Sequence, residues 1–432
     1  MSTPAAEIMT GITGFVKLSG DKAEKYSEVE LLYWLKEYTT LMYLWEFRTD
    51  TIVKYTHASF LMSRYPTGTD PSLRWYQKLT FQRFPTTLHH RRLYHDGEIL
   101  QVILDLSSAL AFLHSKNIIH RDIKPANIAL TSEHRAVLLD FSHAYRKIFP
   151  IDMYDKAVVT YYYRAPDVFR YAIDSTLVYT DAVDIWALGM TLLEVLYRVP
   201  FSLWLTDRIA NGETIHGIPS GITDGEAILD YVFTSEALTK QLIDDFIASK
   251  RPRLIHQTFI IELIKKMLIF DADDRIKASQ IYDSMLTYLK TNGIAHHVPV
   301  NGVFNGNINQ PRAAAIQPNE LKYDVDLYGK CITYGQEISD KYKTYGDINT
   351  LRVVVQKMLF DQFITETNYR DVIAALMIIS ETVLFDRTIE LSEYKYKNET
   401  LNTDQIRHMI YGVMCRYDQK MFGVFSIFDY AE

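Results

Sequence analysis

One stretch of this chain assembles the residue types that phosphoryl chemistry needs. In His120-Arg121-Asp122-Ile123-Lys124-Pro125-Ala126-Asn127, a carboxylate, an ammonium group and an amide stand at fixed offsets. A second carboxylate, in Asp140-Phe141-Ser142, lies thirteen residues past Asn127. Asp122 can accept a hydroxyl proton, and Lys124 can neutralise charge on a moving phosphoryl group. The Asn127 amide and the Asp140 carboxylate offer hard oxygens to Mg²⁺. The transition state of phosphoryl transfer spreads negative charge, so it asks mainly for positioning and electrostatics.

This stretch resembles the catalytic loop and metal loop of the eukaryotic protein kinases, because HRDxKxxN is complete and an acidic-Phe-small triplet follows at the expected distance. The resemblance implies an α+β, bilobal protein kinase fold, with a small β-rich N-lobe at 1–81 and a hinge and helical C-lobe at 82–292. It also implies ATP with Mg²⁺, catalytic roles for Asp122 and Lys124, and metal ligation by Asn127 and Asp140. A protein substrate is implied by Val158-Val159-Thr160-Tyr161-Tyr162-Tyr163-Arg164-Ala165-Pro166. That run is similar to the group containing cyclin-dependent and MAP kinases. There Thr160 is expected to bond near Asp122 and Lys124, and Asp167 to pair with Arg275.

Stepping outward, the elements that must hold these groups are legible as patterns. Ile99, Val102, Ile103, Leu106, Ala109 and Leu110 recur at helical spacing within Glu98–Ser115, which would scaffold the catalytic loop. Asp184 opens the next predicted helix, where the resemblance expects its carboxylate to accept backbone N–H bonds from that loop. Ser142 stands where the family usually has glycine. Asp155 aligns with a threonine that becomes phosphorylated in cyclin-dependent kinases, with Arg121, Arg146 and Arg48 as its basic partners; an ordinary solvated aspartate is the alternative.

The first 80 residues fit the pattern less well. Gly11 and Gly14 sit where a glycine-rich loop would approach phosphates, although GxGxxG is absent and a plain turn reads equally well. Leu41 to Tyr55 reads as a helix. In that register the strand position for a phosphate-binding lysine holds Glu30, and the helix position for its glutamate falls near Arg48. Either the pair is sign-reversed, or Lys36 or Lys17 supplies the cation. Trp75 to Phe84 reads as a strand running into the hinge. Thr80 or Phe81 would back the adenine pocket, and the backbone of Gln82 to Phe84 would meet the base.

Residues 293–319, rich in Gly, Asn and Pro, read as a linker. Residues 320–432 read as an all-α domain, with helices at Tyr328 to Tyr345, Ile348 to Phe363, Tyr369 to Leu384 and Thr403 to Arg416. Asp371 to Ser380 and Leu401 to Ile406 resemble part of a cyclin box, and an anonymous helical bundle is the alternative reading. A fused cyclin-like domain would act as an intramolecular partner. An acidic residue in the activation segment would add self-activation. A scaffold that has lost phosphoryl transfer is the alternative function, motivated by the irregular N-lobe.

Composition sets outer bounds. The 432 residues are 48% hydrophobic and 23% charged, as expected for a globular chain of two or three domains. A net charge of -7 argues against a broad nucleic-acid or anionic-membrane surface. Two cysteines cannot build a disulfide framework, which points to an intracellular setting. No signal peptide is visible, and no segment reads as long and apolar enough to span a bilayer.

Overall fold

Aromatic residues on neighbouring strands build the core of the first sheet. A computed structural model describes residues 7–10, 14–28, 33–45, 47–64, 73–93, 95–146, 160–173, 180–219, 222, 224–249, 254–304, 325–342, 355, 358, 364–384, 395–396 and 399–400. Its elements form two compact units. One comprises residues 1–46, 54–83 and 304–432, and the other residues 47–53 and 84–303.

The first unit starts with β1 (Glu7–Thr10), β2 (Gly14–Ser19) and β3 (Lys22–Glu28), followed by α1 (Tyr33–Trp45). After β4 (Phe47–Thr49), which belongs to the second unit, come β5 (Tyr55–Arg64) and β6 (Leu73–Gln82). The sheet order is β1-β2-β3-β6-β5, antiparallel throughout. Its core is aromatic: Phe15 stacks on Tyr26 at 4.4 Å, and Tyr76 meets Phe15 edge-on at 5.4 Å. Close packing requires glycine at position 14, since a Cβ there would lie 1.9 Å from the Tyr26 carbonyl oxygen. Helix α1 buries Glu37, Tyr38, Leu41 and Leu44 along one stripe.

The expected helix over Leu41 to Tyr55 is therefore corrected. The helix ends at Trp45, and Phe47–Thr49 is a strand, which puts Arg48 on β4 rather than on a helix. Arg48 is exposed there, 3.8 Å from Asp50.

The second unit continues with β7 (Thr86–Thr87), α2 (Asp96–Ser115), β8 (Ile118–Ile119), β9 (Ile128–Leu130), β10 (Ala136–Leu138) and β11 (Tyr145–Arg146). Helices α3 (Pro166–Ile173), α4 (Ala182–Tyr197), α5 (Phe201–Ala210) and α6 (Gly225–Val232) follow. The unit closes with α7 (Glu236–Ser249), α8 (Gln257–Met267) and α9 (Ala278–Thr291). Helix α2 is long and apolar enough to cross a membrane by length and composition, which corrects the sequence expectation. Its apolar character has a local cause, because thirteen of its residues are buried in this unit's core. Helices α4 and α8 approach so closely that a Cβ on Gly189 would meet Leu268 at 2.8 Å.

Residues read as a free linker are partly docked. Strand β12 (Asn301–Phe304) pairs with β4, and the Asn301 side chain accepts from Asp50 N–H and donates to Thr51 and Ser108 hydroxyls. Residues 305–319 lie outside the described ones. In the first unit, α10 (Val325–Tyr342) buries Leu327, Cys331, Tyr334 and Ile338 at helical spacing. Helix α11 (Tyr369–Leu384) packs against both α10 and α1, and Val372 to Met377 are all buried. The predicted helix at Thr403 to Arg416 lies outside the described residues, as does most of that at Ile348 to Phe363.

Candidate active site

Helix α2 and strands β8 to β10 place the catalytic stretch. The chain leaves β8, passes through Arg121 in a left-handed conformation (φ 64°), and enters a 3₁₀ turn at Pro125–Asn127 leading into β9. A left-handed arginine is strained. What holds it is Asp184 at the start of α4, whose two carboxylate oxygens accept the His120 and Arg121 backbone N–H groups, each at 2.8 Å. Burial alone would push the Asp184 carboxyl up. The His114 ring nitrogen at 3.0 Å and neighbouring charge outweigh it and hold the group below the usual carboxylate range. His120 is buried, and burial holds its imidazole below the ordinary value, so it is neutral. Its Nδ1 accepts from Asp122 N–H and its Nε2 donates to the Leu139 carbonyl at 2.9 Å.

Asp122 is the hub. Its carboxylate lies 2.9 Å from Lys124 Nζ, accepts from the Thr160 hydroxyl at 2.5 Å and from Asn127 Nδ2 at 2.7 Å. Lys124 Nζ also donates to Thr160 Oγ1 at 2.8 Å. A carboxylate held by three donors is fixed in rotation. Asp140, left-handed at φ 58°, accepts from the Ser142 hydroxyl at 2.7 Å and from its N–H at 3.2 Å. The serine that replaces glycine thus clamps the Asp140 carboxylate. The Leu139 N–H donates to the Asn127 carbonyl at 2.8 Å, which ties the two oxygen donors' backbones together. Phe141 is buried edge-on to His120 at 4.8 Å.

The segment carrying Thr160 is anchored further on. Arg275 makes a forked pair with Asp167, at 2.8 and 3.2 Å, and donates to the carbonyls of Ala182, Ile269 and Phe270. The shorter aspartate therefore still reaches its partner. Tyr163 donates to Glu194 at 2.6 Å, and burial with that carboxylate pushes the phenol up.

In the first unit, the ion pair falls on residues the sequence reading did not choose. Lys25 on β3 meets Glu37 on α1 at 2.8 Å, with the glutamate 1% exposed. Lys36 lies on α1, next to Glu37 in the chain, and not on a strand. Lys17 is on β2, opposite Glu24. Glu30 and Gly11 lie outside the described residues. Gly14 opens β2, and Gln82 ends β6 in an exposed position. Phe84, half-buried, begins the second unit's 84–303 segment.

Residues 29–286, more than half of the chain, match the family described as Protein kinase domain. The chain belongs to the protein kinase family. This kinase chain is similar to mitogen-activated protein kinase pmk-3 of Caenorhabditis elegans, 32% identical over 44% of this chain and 40% of that protein. It is also similar to the probable CTD kinase subunit alpha homolog of Encephalitozoon cuniculi, 29% identical over 44% of this chain and 55% of that protein. Cyclin-dependent kinase-like 2 of Rattus norvegicus is 36% identical over 29% of this chain and 25% of its own length. The matched stretch thus spans between a quarter and about half of these relatives.

The family implies ATP and a divalent metal. The kinase's donor set fits a metal. Both hydrogen bonds from the Asn127 amide run from Nδ2 to Asp122, and among the described residues none is given to its oxygen, the atom a cation would take. Asp140 adds a carboxylate oxygen of the hard type such ions prefer. Among the described residues no group of three or more His, Cys, Asp or Glu could hold a metal.

Proposed function

We propose that this chain transfers the terminal phosphoryl group of ATP to a serine or threonine hydroxyl on a protein. The observation that carries this is the Asp122–Lys124–Thr160–Asn127 cluster. Asp122 orients the acceptor hydroxyl and takes its proton, while Lys124 offsets charge on the group in flight. Thr160, bonded to both, holds the acceptor-side segment in register. Mg²⁺ bound through Asn127 and Asp140 would neutralise phosphate charge. Lys25, held by Glu37, is the first unit's candidate for the cation that a kinase sets against its nucleotide, which weakens the case for an inert scaffold. Replacing Asp122 by Asn keeps the shape and removes the charge. Purified Asp122→Asn protein should lose about 10²–10⁴-fold in kcat, and activity within threefold of wild type would reject the assignment.

The helices α10 and α11 support a second part of the reading: an internal, cyclin-like partner. Helix α11 packs on α1, the helix bearing Glu37, so ordering the C-terminal region would order the Lys25–Glu37 pair. Linkage in one chain makes such docking intramolecular, at an effective concentration on the order of mM. Asp155 and the phosphorylation-independent activation it suggests lie outside the described residues.

A further inference from the structure

A second set of polar residues borders the catalytic loop and takes no part in the chemistry above. Thr86 to His95 reads Thr-Thr-Leu-His-His-Arg-Arg-Leu-Tyr-His, the densest run of basic and imidazole groups in a chain whose net charge is -7. The structure ties this loop to the active stretch. Strand β7 pairs with β9, the Leu88 N–H donates to the Ile128 carbonyl at 2.9 Å, and the His89 N–H to the Pro125 carbonyl at 3.2 Å. Pro125 directly follows Lys124. Asp122 and His89 are therefore joined by a path of three residues and one hydrogen bond, which keeps them within about 15 Å, a span of no more than four or five residues of extended peptide.

Contacts within residues 87–91 hold that part of the loop in place. The N–H groups of His90 and Arg91 both donate to the Thr87 carbonyl, the His90 ring pairs with the Thr87 hydroxyl at 3.1 Å, and the His89 and His90 rings meet edge-on at 4.9 Å. Three neighbouring carboxylates have other partners. Glu98 is taken by Arg91 and His134, Asp96 accepts the His256 N–H, and Glu194, which lies within electrostatic reach of His89, is bound by Tyr163. His89, His90, Arg92 and His95 remain exposed, and no described residue pairs with Arg92. Imidazole N–H and guanidinium groups are the natural receivers of carboxylate and phosphate oxygens.

We propose that this loop selects the substrate: His89, His90 and Arg92 favour proteins bearing anionic side chains within a few residues of the acceptor hydroxyl. The proposal rests on the kinase reading above and names its substrate class. A lone exposed ion pair contributes little, so the three together should give about a threefold to tenfold preference in kcat/KM.

The test uses the full-length protein and serine peptides identical except for the residues flanking the acceptor. These carry glutamate, phosphoserine, alanine or lysine, on the N-terminal or the C-terminal side. Wild type should favour glutamate or phosphoserine over alanine, mainly through KM, on one side of the acceptor. The triple variant His89→Glu/His90→Glu/Arg92→Glu should reverse that order toward lysine. Should it fail to show a cooperative melt, His89→Ala/His90→Ala/Arg92→Ala replaces it and should bring the ratio to about one. Transfer to all peptides without preference, or a preference unchanged in the variants, overturns the proposal and leaves the kinase reading standing. No transfer to any peptide by wild type overturns both.

Discussion

Lys25 and Glu37 offer the sharpest test of the first unit, because the structure fixes their contact and the sequence did not. At 2.8 Å, two unit charges attract by about 6 kcal/mol if the effective dielectric constant is near 20. Desolvation takes back much of that. The lysine side chain keeps 21% exposure, so solvent screens the pair further, and a net coupling of about 1–3 kcal/mol remains. Lys25→Met, which leaves a buried carboxylate without this cation, should cost more than Glu37→Gln. The double variant should cost less than the two singles together, by the same 1–3 kcal/mol. Urea unfolding of the four proteins supplies the cycle. Additivity within about 0.3 kcal/mol would show that the two groups do not interact. The same proteins separate the lysines. Lys25→Met should lose ATP-dependent transfer while Lys17→Met and Lys36→Met keep it, and the opposite ranking would return the assignment to one of the latter.

Three further outcomes follow from other contacts. Arg275→Ala removes five hydrogen bonds from a fully buried guanidinium and strands Asp167, which should cost about 3–5 kcal/mol in thermal or urea unfolding; Arg275→Lys, lacking the fork, should recover less than half. Ala375→Leu overfills a buried turn of α11 by about 1–3 kcal/mol. If α11 braces α1, peptide phosphorylation falls along with the melting temperature, and a lowered melting temperature with full activity rejects the internal partner. His120 is neutral when folded, with its pKa below the ordinary 6.5, so the unfolded chain binds the extra proton. Its contribution to stability is complete above that pH and declines as pH falls through it, by at most about 1.4 kcal/mol per pH unit. His120→Gln should flatten that slope between pH 6.5 and 5, and a slope unchanged by the substitution would place the titration elsewhere.

What could be read from the sequence was what is contiguous. Asp122, Lys124 and Asn127 share one short turn, so their spacing alone carries the chemistry, and Thr160 and Asp184 sit in runs of similar density. Lys25 and Glu37 are twelve residues apart on different elements, and no local pattern links them. The helix bearing Glu37 ends at Trp45 rather than running on to Tyr55, because the aromatic and aliphatic residues on either side of Glu46 suit helix and strand cores alike. The Ser142 clamp was also illegible: a residue seen only as missing glycine's freedom proves to donate two bonds to Asp140. The docking of Asn301 on Asp50, Thr51 and Ser108 pairs residues about 200–250 positions apart, beyond any window of periodicity.

That first unit is discontinuous: its sheet is encoded before residue 84, and α11, which covers α1, after residue 368. On the ribosome the strands emerge early and wait, with one side of α1 uncovered, until α11 has been made. Contacts of such long separation form late and slowly. A polypeptide whose synthesis stops short of α11 thus carries every residue of the Asp122 loop yet lacks a helix of its first unit, so synthesis past residue 384 becomes a condition for that unit's packing.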